Sequence, residues 1–132
     1  MILLVEDQKD DVILMRRAFR ELAITNSIYA VDDGEQAIEY LAGTGKFANR
    51  AEYPLPGLVL LDLKLPRQDG LEVLKWIREQ PSLRALRVIV LTSSKLREDV
   101  NRAYQLGANS FMTKPSDFKR FMSDVEALAR YW

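Results

Sequence analysis

Apolar residues gather in five short runs, at positions 2–5, 27–31, 58–61, 88–91 and 110–112. Between the runs, apolar residues recur every three or four positions. Val12, Met15, Phe19 and Leu22 form one stripe; Ala37, Ile38 and Leu41 a second; Leu71, Leu74 and Ile77 a third; Val100, Ala103 and Tyr104 a fourth. The fifth is the longest: Phe118, Phe121, Met122, Val125, Leu128, Ala129 and Trp132 keep helical spacing to the end of the chain. Strand and helix therefore alternate five times. The runs at 2–5, 58–61 and 88–91 are apolar at nearly every position, as strands covered on both faces are. This pattern predicts an α/β fold, a parallel sheet with helices on both faces. Pro66 with Asp69-Gly70 marks a loop before the third helix, Pro81 stops that helix, and Gly107 suits a left-handed cap after the fourth. The connection 43–57 is long for its kind and predicts an elaborated or functional loop. No internal repeat or linker divides the 132 residues, which read as one domain.

Composition narrows the chemistry. The chain has no cysteine and no histidine. That excludes disulfides, thiolate metal sites, a cysteine nucleophile and any serine–histidine triad, and it suits the cytoplasm. No apolar run approaches the ~20 residues that span a bilayer, so no membrane partner is expected. Net charge is zero, which argues against a nucleic-acid partner. The charge is uneven, however: residues 1–83 carry 14 acids and 10 bases, and residues 84–132 carry 5 acids and 9 bases.

The polar residues that follow the apolar runs are the candidates for function. Glu6 and Asp7 follow the first, Asp62 the third, Thr92 the fourth, and Thr113 and Lys114 the fifth. In a parallel α/β sheet these strand ends share one edge, where such folds bind ligands. The five-stranded order 2-1-3-4-5 would put Asp62 between the ends of the first and fourth strands, with Asp7 and Thr92 flanking it and Lys114 reaching in from two strands away. Three carboxylates this close repel one another unless a cation joins them. Mg²⁺, which prefers carboxylate, water and phosphate oxygens, fits that need. A carboxylate beside Mg²⁺, a lysine and a hydroxyl is a plausible phosphoryl acceptor.

These segments resemble the response-regulator receiver family over the whole chain. The matching pieces are Leu3-Leu4-Val5-Glu6-Asp7, Leu60-Leu61-Asp62-Leu63-Lys64-Leu65-Pro66 with Asp69-Gly70, Val90-Leu91-Thr92-Ser93-Ser94, and Phe111-Met112-Thr113-Lys114-Pro115. More narrowly, the long 43–57 loop, the Leu91-Thr92-Ser93-Ser94 segment and the Tyr131-Trp132 ending are similar to the single-domain regulators that accompany cyanobacterial and bacterial phytochromes. The resemblance implies a flavodoxin-like receiver fold and a phosphoacceptor signalling protein that acts on no substrate but itself. It implies Asp62 as the phosphoacceptor, and Asp7 as a direct Mg²⁺ ligand with Glu6 beside it, through water as one option. The metal would also take Asp62 itself and the backbone carbonyl of Lys64. Thr92 matches the switch hydroxyl, Phe111 the switch aromatic and Lys114 the phosphate-binding lysine. The implied partners are a sensor histidine kinase, of phytochrome type on the narrower likeness, and an unknown downstream protein. A homodimer through the fourth helix, fifth strand and fifth helix is a further expectation.

Plainer readings stand beside these. Asp62 and Lys114 as a structural ion pair would leave Glu6 and Asp7 unexplained. Asp10 and Asp11 read as the acidic first turn of a helix, and Ser94 as a helix cap. Trp76 reads as packing, with a partner surface second. Tyr131 and Trp132 either cap the core or meet a partner. The alternative function is a receiver-like binding module that works without phosphorylation. A phosphatase would want a second acid two residues after the nucleophile, where Lys64 stands. A nucleotide-binding protein would want a glycine-rich loop after the first strand, and none is there.

Overall fold

The computed structural model describes residues 1–65, 69–92, 97–114 and 118–131. Five strands, β1 (Ile2–Val5), β2 (Ile28–Val31), β3 (Leu58–Asp62), β4 (Arg87–Thr92) and β5 (Ser110–Thr113), alternate with five helices, α1 (Lys9–Glu21), α2 (Gly34–Ala42), α3 (Gly70–Glu79), α4 (Arg97–Gln105) and α5 (Phe118–Tyr131). The sheet is parallel throughout, in the order β2-β1-β3-β4-β5. Expected order and class both hold.

Side chains alternate across a strand, and each central strand feeds two cores. Leu3, Val5, Val59, Leu61, Val88 and Val90 point to the face covered by α2 and α3, where Ala37, Leu41, Val73, Leu74 and Ile77 meet them. Ile2, Leu4, Leu58, Leu60, Ile89 and Leu91 point to the other face, against Met15, Ala18 and Phe19 of α1 and Phe121, Val125 and Leu128 of α5. This is why the central runs are apolar at every position. Trp76 packs against the first core, as its packing reading requires. Tyr104 does not join a core. It is exposed and meets the Phe111 ring edge-on at 6.0 Å, so the fourth stripe is narrower than its spacing implied.

Local signals set the helix limits. Asp33 accepts a hydrogen bond from the Gln36 N–H and caps α2, which ends on Gly43 at φ 70°. Asp69 caps α3 through the Leu71 N–H. Pro81 opens a short 3-10 turn just after that helix. Pro66, Ser93, Ser94 and Trp132 lie outside the described residues, as does the Tyr131 side chain.

The long 43–57 connection is ordered by an aromatic cluster. Phe47 is fully buried on a 3-10 turn and packs with Tyr29, Tyr40 and Tyr53 at centroid distances of 5.0 to 6.1 Å. The Tyr40 hydroxyl donates to the Pro54 carbonyl at 2.8 Å, and burial raises its pKa. Arg50 donates to the carbonyls of Tyr40 and Leu41 at 2.8 Å, and so satisfies the C-terminal turn of α2. At the N-terminal edge of the sheet, Arg78 of α3 donates to the carbonyls of Arg84, Leu86 and Gly107 and to the Asn109 side chain. Asn109 in turn accepts from the Val88 N–H at 2.8 Å.

Among the described residues, no helix is long and apolar enough to cross a membrane.

Candidate functional site

The opposite, C-terminal edge of the sheet carries the acids. Val5 pairs with Leu61, so the next residues, Glu6 and Asp62, leave their strands side by side. The Glu6 N–H donates to the Val31 carbonyl at 3.0 Å, and the Glu6 carboxylate accepts from the Gln8 N–H at 3.2 Å. These bonds hold the acid at the strand end while the chain turns into α1. Asp62 is the last residue of β3 and sits opposite Leu91 of β4. Its carboxylate accepts from the Lys64 N–H at 3.0 Å. Gly70 leaves no side chain against this turn: a Cβ there would collide with the Asp62 carbonyl oxygen and come within 2.7 Å of Leu63 Cα.

Lys114 follows β5 directly and reaches over the edge. Its Nζ lies 2.8 Å from Asp62 Oδ2, 2.5 Å from Glu6 Oε1 and 3.2 Å from Asp11 Oδ2. Glu6 and Asp62 are both buried, 2% and 4% exposed, where an uncompensated charge is costly. The Glu6 contact is close but poorly directed. Glu6 Oε1 accepts no well-formed hydrogen bond and is the one such buried side-chain atom among the described residues.

Oxygens of Glu6, Asp7 and Asp62 all lie within 4.8 Å of one another. An oxygen-only cluster with an undersatisfied buried carboxylate is the kind of site a hard divalent cation fits. Without a cation the electrostatics are strained. Burial pushes the Glu6 carboxyl up to about 8; Lys114 pulls it back, and the neighbouring Asp62 adds to the rise. For Lys114 burial acts downward, but its hydrogen bond to Asp62 and the close negative charges of Asp62 and Glu6 outweigh it and hold the ammonium above its ordinary range. We take Glu6 as the group that gives up its charge, because Lys114 is shared among three acids.

The expected residues are therefore largely brought together: Glu6, Asp7, Asp62 and Lys114 meet, and the Lys64 backbone is tied to the Asp62 side chain. Thr92 ends β4 one residue beyond the partner of Asp62, and its side chain lies outside the described part of the structure. Phe111 is not in the cluster. It stands on β5 with 39% of its surface exposed, its ring turned to Tyr104. Asp11 is the addition. Its sequence reading as a plain acidic first turn misses the ion pair to Lys114, which lies 103 positions away.

A parallel 2-1-3-4-5 sheet with an acidic trio and a lysine at its C-terminal edge defines a receiver. The pattern of the response regulator receiver domain matches residues 2–126, and the chain belongs to that family. It is 42% identical over 135 residues to "Probable methanogenesis regulatory protein FilR2" of Methanothrix harundinacea, covering all of this chain and 83% of that one. It is 36% identical over 132 residues to "Response regulator Rcp1" of Synechocystis, covering all of this chain and 88% of that one. The Mn²⁺-bound crystal structure of Rcp1 superposes with a TM-score of 0.88 over 99% of this chain and 92% of that one. The phosphorylated cyanobacterial phytochrome response regulator RcpA is 35% identical, with a TM-score of 0.91 over 99% of this chain and 91% of that one.

Proposed function

We propose that this chain, as a single receiver domain, accepts a phosphoryl group on Asp62 from the phosphohistidine of a sensor histidine kinase. The observation that carries the reading is Asp62 itself: a buried strand-end carboxylate, with two further carboxylates against it and the Lys114 ammonium 2.8 Å away. An Asp62 carboxylate oxygen attacks phosphorus, the phosphorus–nitrogen bond breaks, and the kinase imidazole leaves. Glu6, Asp7, Asp62 and the Lys64 carbonyl would hold Mg²⁺, which when bound offsets charge on the phosphoryl oxygens. Lys114 neutralises a further oxygen, and the Thr92 hydroxyl donates to another. The same residues serve hydrolysis of the acyl phosphate, so the only reaction is on the chain itself. The Mn²⁺ in Rcp1 and the phosphorylated state of RcpA, proteins of the same family, support this reading.

The likeness to the phytochrome response regulator RcpA favours a phytochrome-type kinase as donor, acting in the cytoplasm. Output then passes by protein contact. Thr92 and Phe111 would carry the change to the face of α4, β5 and α5. That face also suits a homodimer: Phe111, Arg120 and Asp124 line an open groove between β5 and α5, and opposite charges one helical turn apart can pair reciprocally across a two-fold axis.

Acetyl phosphate with Mg²⁺ tests the acceptor. Intact mass should rise by one phosphoryl group in the parent and not in Asp62→Asn, and excess chelator should suppress it. Label that persists in Asp62→Asn would overturn the assignment. Transfer from a purified phytochrome kinase, against a kinase without a light-sensing module, tests the donor.

A further inference from the structure

Lys114 has three N–H donors, and among the described residues three carboxylates face it. Two of them, Glu6 and Asp62, belong to the acidic trio that could hold a cation; the third, Asp11, does not. An ammonium seated on Glu6 and Asp62 is itself a cation on the oxygens that a metal needs, so the two compete. Asp11 can draw the ammonium but has no oxygen in the cluster. It sits in the first turn of α1, its side chain 38% exposed, and its contact to Lys114 is the longest of the three, at 3.2 Å. It is a modest tether from outside.

We propose that Asp11 is a positioning residue for Lys114: it holds the ammonium toward α1, and so favours divalent-cation binding by Glu6, Asp7 and Asp62. This rests on the metal reading given above. Without Asp11, Lys114 has, among the described residues, only Glu6 and Asp62 to pair with, and the metal must displace it from both. The same tether leaves Lys114 near Asp62 but not committed to it, where it can turn to an incoming phosphoryl oxygen.

A double-mutant cycle separates this from a mere loss of negative charge. Mg²⁺ is titrated calorimetrically into the full chain as parent, Asp11→Asn, Lys114→Met and the double variant, with folding checked by circular dichroism. Asp11→Asn should weaken Mg²⁺ binding about threefold to fivefold in the parent, the size of a partly exposed ion pair. In the Lys114→Met background the same change should have almost no effect. Asp10→Asn, which removes the same charge from an exposed neighbour, should leave affinity unchanged, and Asp11→Glu should restore most of it. An equal loss in both backgrounds would overturn the role of Asp11 while leaving the metal site standing. A parent that binds no Mg²⁺ would overturn the metal reading itself.

Discussion

At Glu6 the fold sets a cost on the ionised carboxylate that a proton or a bound cation removes. Its folded pKa, near 8, lies above the ordinary 4.5, so the metal-free fold favours the protonated acid. The stability this contributes is fully present below pH 4.5 and is lost as pH rises through 8. No histidine titrates in that window to mask the effect. Denaturant melts in chelator should therefore show stability falling across it. Glu6→Gln should flatten the slope, and saturating Mg²⁺ should offset it by holding the ionised form. The neighbouring acid has the opposite balance of roles. Asp7 is only partly buried, and one of its oxygens lies within 4.8 Å of oxygens of Glu6 and Asp62. Asp7→Asn should abolish Mg²⁺ binding in a titration yet change folding stability by less than about 1 kcal/mol, in either direction. A larger loss would make Asp7 a structural residue.

The site depends on how its elements meet, and here the sequence was legible unevenly. Apolar runs covered on both faces made the central strands plain, and the polar residue after each run marked the edge where chemistry collects. Glu6, Asp7, Asp62 and Lys114 could all be named that way. Asp11 could not, because its partner depends on where α1 lies relative to the end of β5, and an acidic first turn looks the same with or without one. The aromatic cluster of the 43–57 loop was hidden for a related reason: Tyr29, Tyr40, Phe47 and Tyr53 keep no common period, come from a strand, a helix and the loop, and meet only in the folded chain. Tyr104 was misread because its spacing fits a helix face that turns outward. Gly70 shows an element acting on a residue. Gly70→Ala would force α3 away from the Asp62 carbonyl, since backbone is what the new Cβ meets. A loss of about 1–3 kcal/mol in melts and slower labelling by acetyl phosphate are expected.

Across the whole molecule, the charge asymmetry of the sequence finds its place: Lys114, from the basic second part, closes on Glu6, Asp11 and Asp62, all from the acidic first part. On the proposed function, a change at that junction is read out through β4 and β5. Thr92→Ala should still take a phosphoryl group, but amide shifts induced by a beryllofluoride mimic across α4 and β5 should shrink. Unchanged shifts would sever Thr92 from the readout. Sedimentation should show dimer rising with concentration, and a charge reversal at Arg120 should lower it. The far edge of the sheet is built for the contrary purpose. One guanidinium, Arg78, grips the segments leading into both β4 and β5, and Asn109 locks the two strands to each other there through the Val88 N–H. The pair of strands thus resembles two levers clamped at a common fulcrum, with their other ends beside Asp62 and Lys114. On the proposed function, phosphorylation of Asp62 should therefore displace the pair most near Thr92 and Lys114 and least at Val88 and Asn109, where these bonds hold the base of the sheet.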